Sequence, residues 1–285
     1  MLAMPDATSI RLLGWCHNGY HNLPPDEVVR RARLAQLDAL IIKYGDPEFE
    51  HTITAAGIAW GVERFAYAAQ AAREGAMLAD AVDAGAAFAV ANCEPNDGGG
   101  WGAAGAAAAI RTLIDTYRAR HATTPLYIAA DLRHGRSLDA PFVREASRGR
   151  RVAGETGVDG WMALVYPKAF VQTAAAAFDA AYPGARYLGL PCDPVIQTYD
   201  DPGPALVTEQ ITEAKRRGCA SISIYVVETA TDDELLAVAG AKATLAPDAS
   251  TLREAAAAYV RGAIAILDHG TPAELGAWAR LFEQG

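Results

Sequence analysis

Cysteine is sparse in this chain: four residues, Cys16, Cys93, Cys192 and Cys219, are scattered over 285 positions. That spacing excludes a zinc knuckle and a disulfide-stapled scaffold, and it fits reduced thiols packed in or beside strands. Long apolar runs are missing too. Even the alanine-rich stretches carry Arg, Asp or Glu, so none is expected to cross a bilayer and no membrane partner is expected. Cationic charge is in deficit: 25 Lys and Arg face 34 Asp and Glu, for a net charge of -9. Short basic runs such as 148–151 are too small for a nucleic-acid footprint, so nucleic acid is not expected as a partner either. Residues 1–9 hold Pro5 and Asp6 and lack a basic segment followed by an apolar one, so no secretory signal is expected. Synthesis in the cytoplasm is the expectation, with lysis or incorporation into a particle as routes outward.

Nucleotide and metal signatures are equally absent. The segment from Asn96 through Gly98, Gly99, Gly100 and Trp101 to Gly102 lacks the GK[ST] ending of a phosphate loop, and reads as a mobile loop with Trp101 exposed at its tip. His17 and His21 are four apart, but Gly19 between them marks a loop rather than a metal-binding helix face, and there is no His-x-His pair. No metal and no cofactor are expected.

What the chain does have is 51% hydrophobic and 21% charged residues, enough apolar material for a full core. Short apolar runs alternate with amphipathic stretches, the mark of a parallel sheet with crossover helices. Strands are expected at 10–16, 39–44, 58–65, 86–93, 125–131, 160–166, within 186–199, and at 220–227. Helices are expected at 25–37, 73–84, 103–121, 141–151, 169–181, 205–217 and 232–243. The connection at 49–56 reads as a loop or a single turn. In the seventh unit, 187–190 and 195–199 both look extended, and Pro191 and Pro194 separate them. The count predicts one (β/α)8 TIM barrel over about 10–244. Two further helices at 252–267 and 272–282 form an extension over 249–285, suited to a subunit contact. Thr231 with Glu234, Thr251 with Glu254, and Thr271 with Glu274 carry the capping-box spacing.

In such a barrel the working residues come from the C-terminal ends of strands and the loops after them. That leaves His17, Lys43, Asp46, Glu48, Glu63, Arg64, Asn92, Glu94, Asp131, Tyr166, Asp193, Gln197 and Glu228. On the fourth strand Phe88, Val90, Asn92 and Glu94 share one face, while Ala87, Ala89, Ala91 and Cys93 share the other. The small residues suit helix packing, so Asn92 and Glu94 are expected at the mouth, with Glu94 as general acid. The plainer reading of Glu94 is a loop cap or an arginine partner. Asp131 is a second carboxylate or a partner for Arg133 or Arg136. Glu228 shares parity with Ile222 and Ile224, so if these face the helices it needs a turn to reach the centre. Lys43 is either a Schiff-base lysine, which would make the protein a lyase, or an ion-pair partner of Asp46 or Glu48. Trp15, Tyr20, Tyr44, Trp101 and Tyr166 offer flat faces for a sugar, or pack over the mouth.

Three stretches resemble the glycoside-hydrolase barrels of the muramidase type. Leu40 to Lys43 is similar to their second strand, Asn92-Cys93-Glu94-Pro95 to their Asp-x-Glu fourth strand, and Val195-Ile196-Gln197-Thr198-Tyr199-Asp200 to their seventh strand. Asn92 stands where that family has aspartate, and Trp15-Cys16-His17 where it has a further aspartate. The Asn-x-Glu pair is similar instead to that of endo-N-acetylglucosaminidases that use substrate assistance. The resemblance implies a hydrolase of polysaccharide or oligosaccharide, possibly N-acetylhexosamine-containing chains of the cell-wall or chitin kind, as in phage lysins. Glu94 would be the acid, Asn92 the orienter and Asp131 or Asp46 a supporting carboxylate, with Trp15, His17, Lys43, Tyr44, Trp101, Tyr166, Gln197 and Glu228 around the substrate. The same departures fit a non-catalytic barrel that binds carbohydrate or builds a larger assembly such as a phage particle.

Overall fold

A computed structural model describes residues 11–17, 23–43, 46–95, 98–131, 141–147, 156–187 and 191–243. Strands and helices alternate in the order β1 (Arg11–Cys16), α1 (Pro25–Leu34), β2 (Ala39–Lys43), α2 (Pro47–Ala55), β3 (Ala59–Phe65) and α3 (Ala71–Asp83). They continue as β4 (Ala89–Asn92), α4 (Ala106–Arg118), β5 (Leu126–Ala130), α5 (Pro141–Ala146), β6 (Gly160–Val165) and α6 (Ala174–Tyr187). The last are β7 (Val195–Gln197), α7 (Pro204–Arg216), β8 (Ser221–Tyr225) and α8 (Asp232–Ala243). All eight strands are parallel, and β8 pairs with β1, so the sheet closes into a (β/α)8 barrel.

Strand alternation divides the apolar residues into two cores. Leu12, Leu40, Ile42, Val62, Ala89, Ala91, Cys93, Ile128 and Ile224 face the helical layer. Leu13, Trp15, Ile41, Phe88, Val90, Ala129, Met162 and Val195 fill the barrel interior. Two glycines make room for large rings inside. A Cβ on Gly61 would lie 2.3 Å from the Phe88 ring, and one on Gly160 would lie 2.9 Å from the Tyr127 ring. Phe88 and Tyr127 meet edge to face, 5.8 Å apart between centroids, a favoured aromatic geometry.

Several expectations need correction. The second connection is a nine-residue helix, α2, because Pro47 opens it and the Asp46 carboxylate caps it by accepting the Phe49 N–H at 3.1 Å. The seventh strand is Val195–Gln197, while Tyr187 ends α6. The capping box of α8 forms as the spacing predicts: the Thr231 N–H donates to Glu234 Oε2 at 2.7 Å and the Glu234 N–H to Thr231 Oγ1 at 3.2 Å. Glu234 also accepts the Gly203 N–H, which ties the start of α7 to α8. The other two capping boxes and the extension at 249–285 lie outside the described residues. Among the described residues no helix is long and apolar enough to cross a membrane.

Overpacking at the Gly61 site should be costly. Gly61→Ala is expected to lose about 1–3 kcal/mol of stability, and Phe88→Leu in that background to recover part of it. Urea unfolding of the two variants checks this; an unchanged Gly61→Ala midpoint would show that the interior has slack at that point.

Candidate functional site

The C-terminal ends of β3, β4 and β5 bring the polar residues of the interior together. Lys43 ends β2 in register with Glu63 on β3, and Glu63 is in turn level with Val90 on β4. Glu63 has the inward parity of Gly61, and is 2% exposed. Its side-chain hydrogen-bond partner is Asn92, and the charges acting on it are those of Lys43 and Arg64. Burial outweighs this help and pushes the Glu63 carboxyl up from 4.5 to about 7. Glu63 Oε2 and Asn92 Oδ1 are both buried with no hydrogen-bond partner.

Asn92 and Glu94 follow the alternation expected of them, since Cys93 between them packs in the outer core. Glu94 is 6% exposed and lies just beyond the end of β4, where its Oε2 accepts the Asp131 N–H at 3.0 Å. Both Glu94 and Asp131 act electrostatically on the Tyr166 hydroxyl, which burial and these neighbours push well up. The mouth therefore gathers Glu63, Asn92, Glu94 and Asp131 on one side. Tyr166 begins the opposite side.

That opposite side is aromatic. Tyr166 meets Tyr199 at 5.3 Å and Tyr225 at 5.7 Å between ring centroids. His17 packs edge-on to Tyr225 at 5.0 Å, and Phe170 lies 5.7 Å from Tyr166. Trp15 sits lower, 2% exposed, with its indole N–H donating to Ser223 Oγ at 3.0 Å, so its ring faces are covered by protein.

Other expected site residues lie elsewhere. Trp101 is not exposed: it is fully buried against Phe142, and its indole N–H donates to the Ala66 carbonyl at 2.7 Å. The described part of the glycine-rich loop is anchored by that contact and by the Ala68 N–H bonding Gly99 O at 2.8 Å. A Cβ on Gly102 would lie 2.9 Å from the Pro95 carbonyl, so glycine there permits close packing. Asp46 caps α2. Glu228 accepts the Cys16 thiol at 3.0 Å, and Cys16 belongs to the outer core, so Glu228 faces the helical side as its parity with the isoleucines suggests. Burial and Glu228 push that thiol far up, away from reactivity.

Gln197 is fully buried, and its amide is used by the protein: its oxygen accepts the Ala169 N–H and its nitrogen donates to Tyr199 O, both at 3.1 Å. Asp193 lies before β7 at the opposite end of the barrel, near Ser221 and Arg11. Lys43 is exposed, unlike the desolvated lysine that Schiff-base chemistry needs. Tyr20 and Tyr44 lie outside the described residues. Among the described residues no group of three His, Cys, Asp or Glu side chains is placed to hold a metal ion.

Glu63 was one strand-end carboxylate among several in the sequence, and nothing there set it apart. Its signal was the shared face with Gly61, a residue that only a crowded interior would favour. Tyr225 was legible in the same way, from its parity with Ser221 and Ser223.

No family model matches the chain, and no curated protein does. Among solved structures the fold is similar to a chitinase from Chromobacterium violaceum, with a TM-score of 0.56 and 10% identity over 82% of this chain and 99% of that one. It is also similar to the C-terminal domain of a putative chitinase from Desulfitobacterium hafniense, with a TM-score of 0.58 and 10% identity over 82% and 98%. A GH2 β-galacturonidase from Eisenbergiella tayi gives a TM-score of 0.60 and 12% identity, covering 84% of this chain and 52% of that one. The chain thus shares the barrel fold of glycoside hydrolases.

The raised Glu63 carboxyl has a thermodynamic consequence. Its folded pKa of about 7 lies above the ordinary 4.5, so the folded state binds the proton more tightly and stability falls as pH rises through that window. The loss amounts to about 3 kcal/mol. Glu63→Gln should therefore be more stable than wild type above neutrality, and the gap should close below pH 4.5. Denaturant unfolding at several pH values reads this directly, and parallel pH profiles for the two proteins would contradict it.

Proposed function

We propose that the chain is a glycoside hydrolase acting on polysaccharide, with N-acetylhexosamine-containing chains of the cell-wall or chitin kind as substrate. The observation that carries this reading is the meeting of Asn92 and Glu94, from one strand, with a wall of tyrosines across the mouth. The wall supplies apolar faces with hydroxyl edges, the chemistry that sugar rings stack against. Glu94 suits the acid role better than Glu63, because it lies beyond the end of its strand at the rim, whereas Glu63 is set within β3.

In the reaction Glu94 gives its proton to the glycosidic oxygen as the bond to the anomeric carbon breaks. The acetamido oxygen of the same sugar forms a bond to that carbon, and Asn92 holds the acetamido group in line. Water then attacks the anomeric carbon, and the Glu94 carboxylate takes its proton, restoring the acid. The Asp131 N–H fixes the orientation of the Glu94 carboxyl by binding Oε2.

Wild type should release new reducing ends from chitin oligomers or peptidoglycan, and Glu94→Gln should be slower by about 100-fold or more. Equal rates from both proteins, or no product from either, would remove the hydrolase reading. Saturable glycan binding without turnover would replace it with a binding role.

A further inference from the structure

A carboxylate can only accept hydrogen bonds, whereas a carboxylic acid can also donate one. An asparagine amide offers both characters, with its nitrogen and oxygen exchanged by half a turn about a soft terminal torsion. Glu63 and Asn92 are placed so that these properties are linked. Each is the other's side-chain partner, and each has one oxygen, Glu63 Oε2 and Asn92 Oδ1, buried without a hydrogen bond. Facing an ionised Glu63, the amide must present its nitrogen, which directs Oδ1 away as an acceptor.

We infer that Glu63 is a positioning residue for Asn92, holding the amide by its nitrogen when ionised and by its oxygen when protonated, so that its charge selects which end of Asn92 a ligand meets. The ionised state offers an acceptor, suited to the N–H of an acetamido group. The protonated state offers the NH2 donor, suited to a carbonyl or hydroxyl oxygen. The charged groups acting on Glu63 are Lys43 from β2 and Arg64 from its own strand, while β4 contributes the uncharged Asn92. Lys43 and Arg64 favour the carboxylate and burial favours the acid. Burial prevails far enough to leave both states populated near neutrality. The identity of the ligand rests on the hydrolase reading; the coupling of Glu63 to Asn92 does not.

The test is a pH titration of the intact protein by NMR, following the Glu63 side-chain carboxyl carbon and the Asn92 side-chain amide signals. Both should move with one shared midpoint near pH 7, and the Asn92 signals of Glu63→Gln, whose partner cannot titrate, should stay flat. Asn92 signals that ignore pH in wild type, that follow a midpoint different from that of Glu63, or that titrate equally in Glu63→Gln would overturn the proposal. The wild-type comparison stands alone if the variant does not fold. Neither signal needs turnover, so a failed glycosidase assay leaves this result readable.

Discussion

Closing eight strands into a ring leaves the sheet no edge and gives each strand residue two destinations, the helical layer or the enclosed interior. The interior is narrow enough for side chains alone to fill it. Every residue of inward parity is therefore committed to a crowded, dry space, and a polar one there must find a partner or be left without. Asn92, Glu63 and Asp193 reach their positions through this constraint, as do the glycines opposite Phe88 and Tyr127.

The two ends of the barrel resolve the problem differently. At the N-terminal end Asp193 is buried near Ser221 and Arg11, and its carboxyl is still pushed up by desolvation. At the C-terminal end Glu63 has only the more distant help of Lys43 and Arg64, and both it and Asn92 keep an unbonded oxygen. Buried polar atoms without partners cost stability, so a fold keeps them where they are used or where a ligand completes them. The mouth is also where the fold gathers its tyrosines. Polar groups lacking bonds, carboxylates and flat rings thus converge on one end of the molecule, and that convergence distinguishes a working face from the packed opposite end.

Likeness in fold to chitinases and a galacturonidase at 10–12% identity reflects the barrel itself, which hosts many chemistries. What is particular to this chain is the set of side chains on the inner faces of β3, β4, β6 and β8. Several residues that stand at strand ends are absorbed into the frame. Asp46 caps a helix, Gln197 bonds loop backbone, Glu228 meets an outer thiol and Trp101 pins a loop. Position at a strand end gives a side chain access to the mouth but does not send it there.

The alternation of apolar runs and amphipathic stretches, read from residue order alone, determined the barrel, the strand order and the inward parity of Asn92, because these depend on local periods that each segment carries within itself. The short second helix escaped that reading, since Asp46 and Pro47 start it with too few residues to show a period. Only the tertiary structure decided which carboxylates meet. Glu63 pairs with Asn92, and Glu94 with the backbone of Asp131, across strands that lie 29 and 37 positions apart in the chain. Desolvation, which sets Glu63 apart from other glutamates, is a property of everything packed around a group, and no single stretch of sequence contains it.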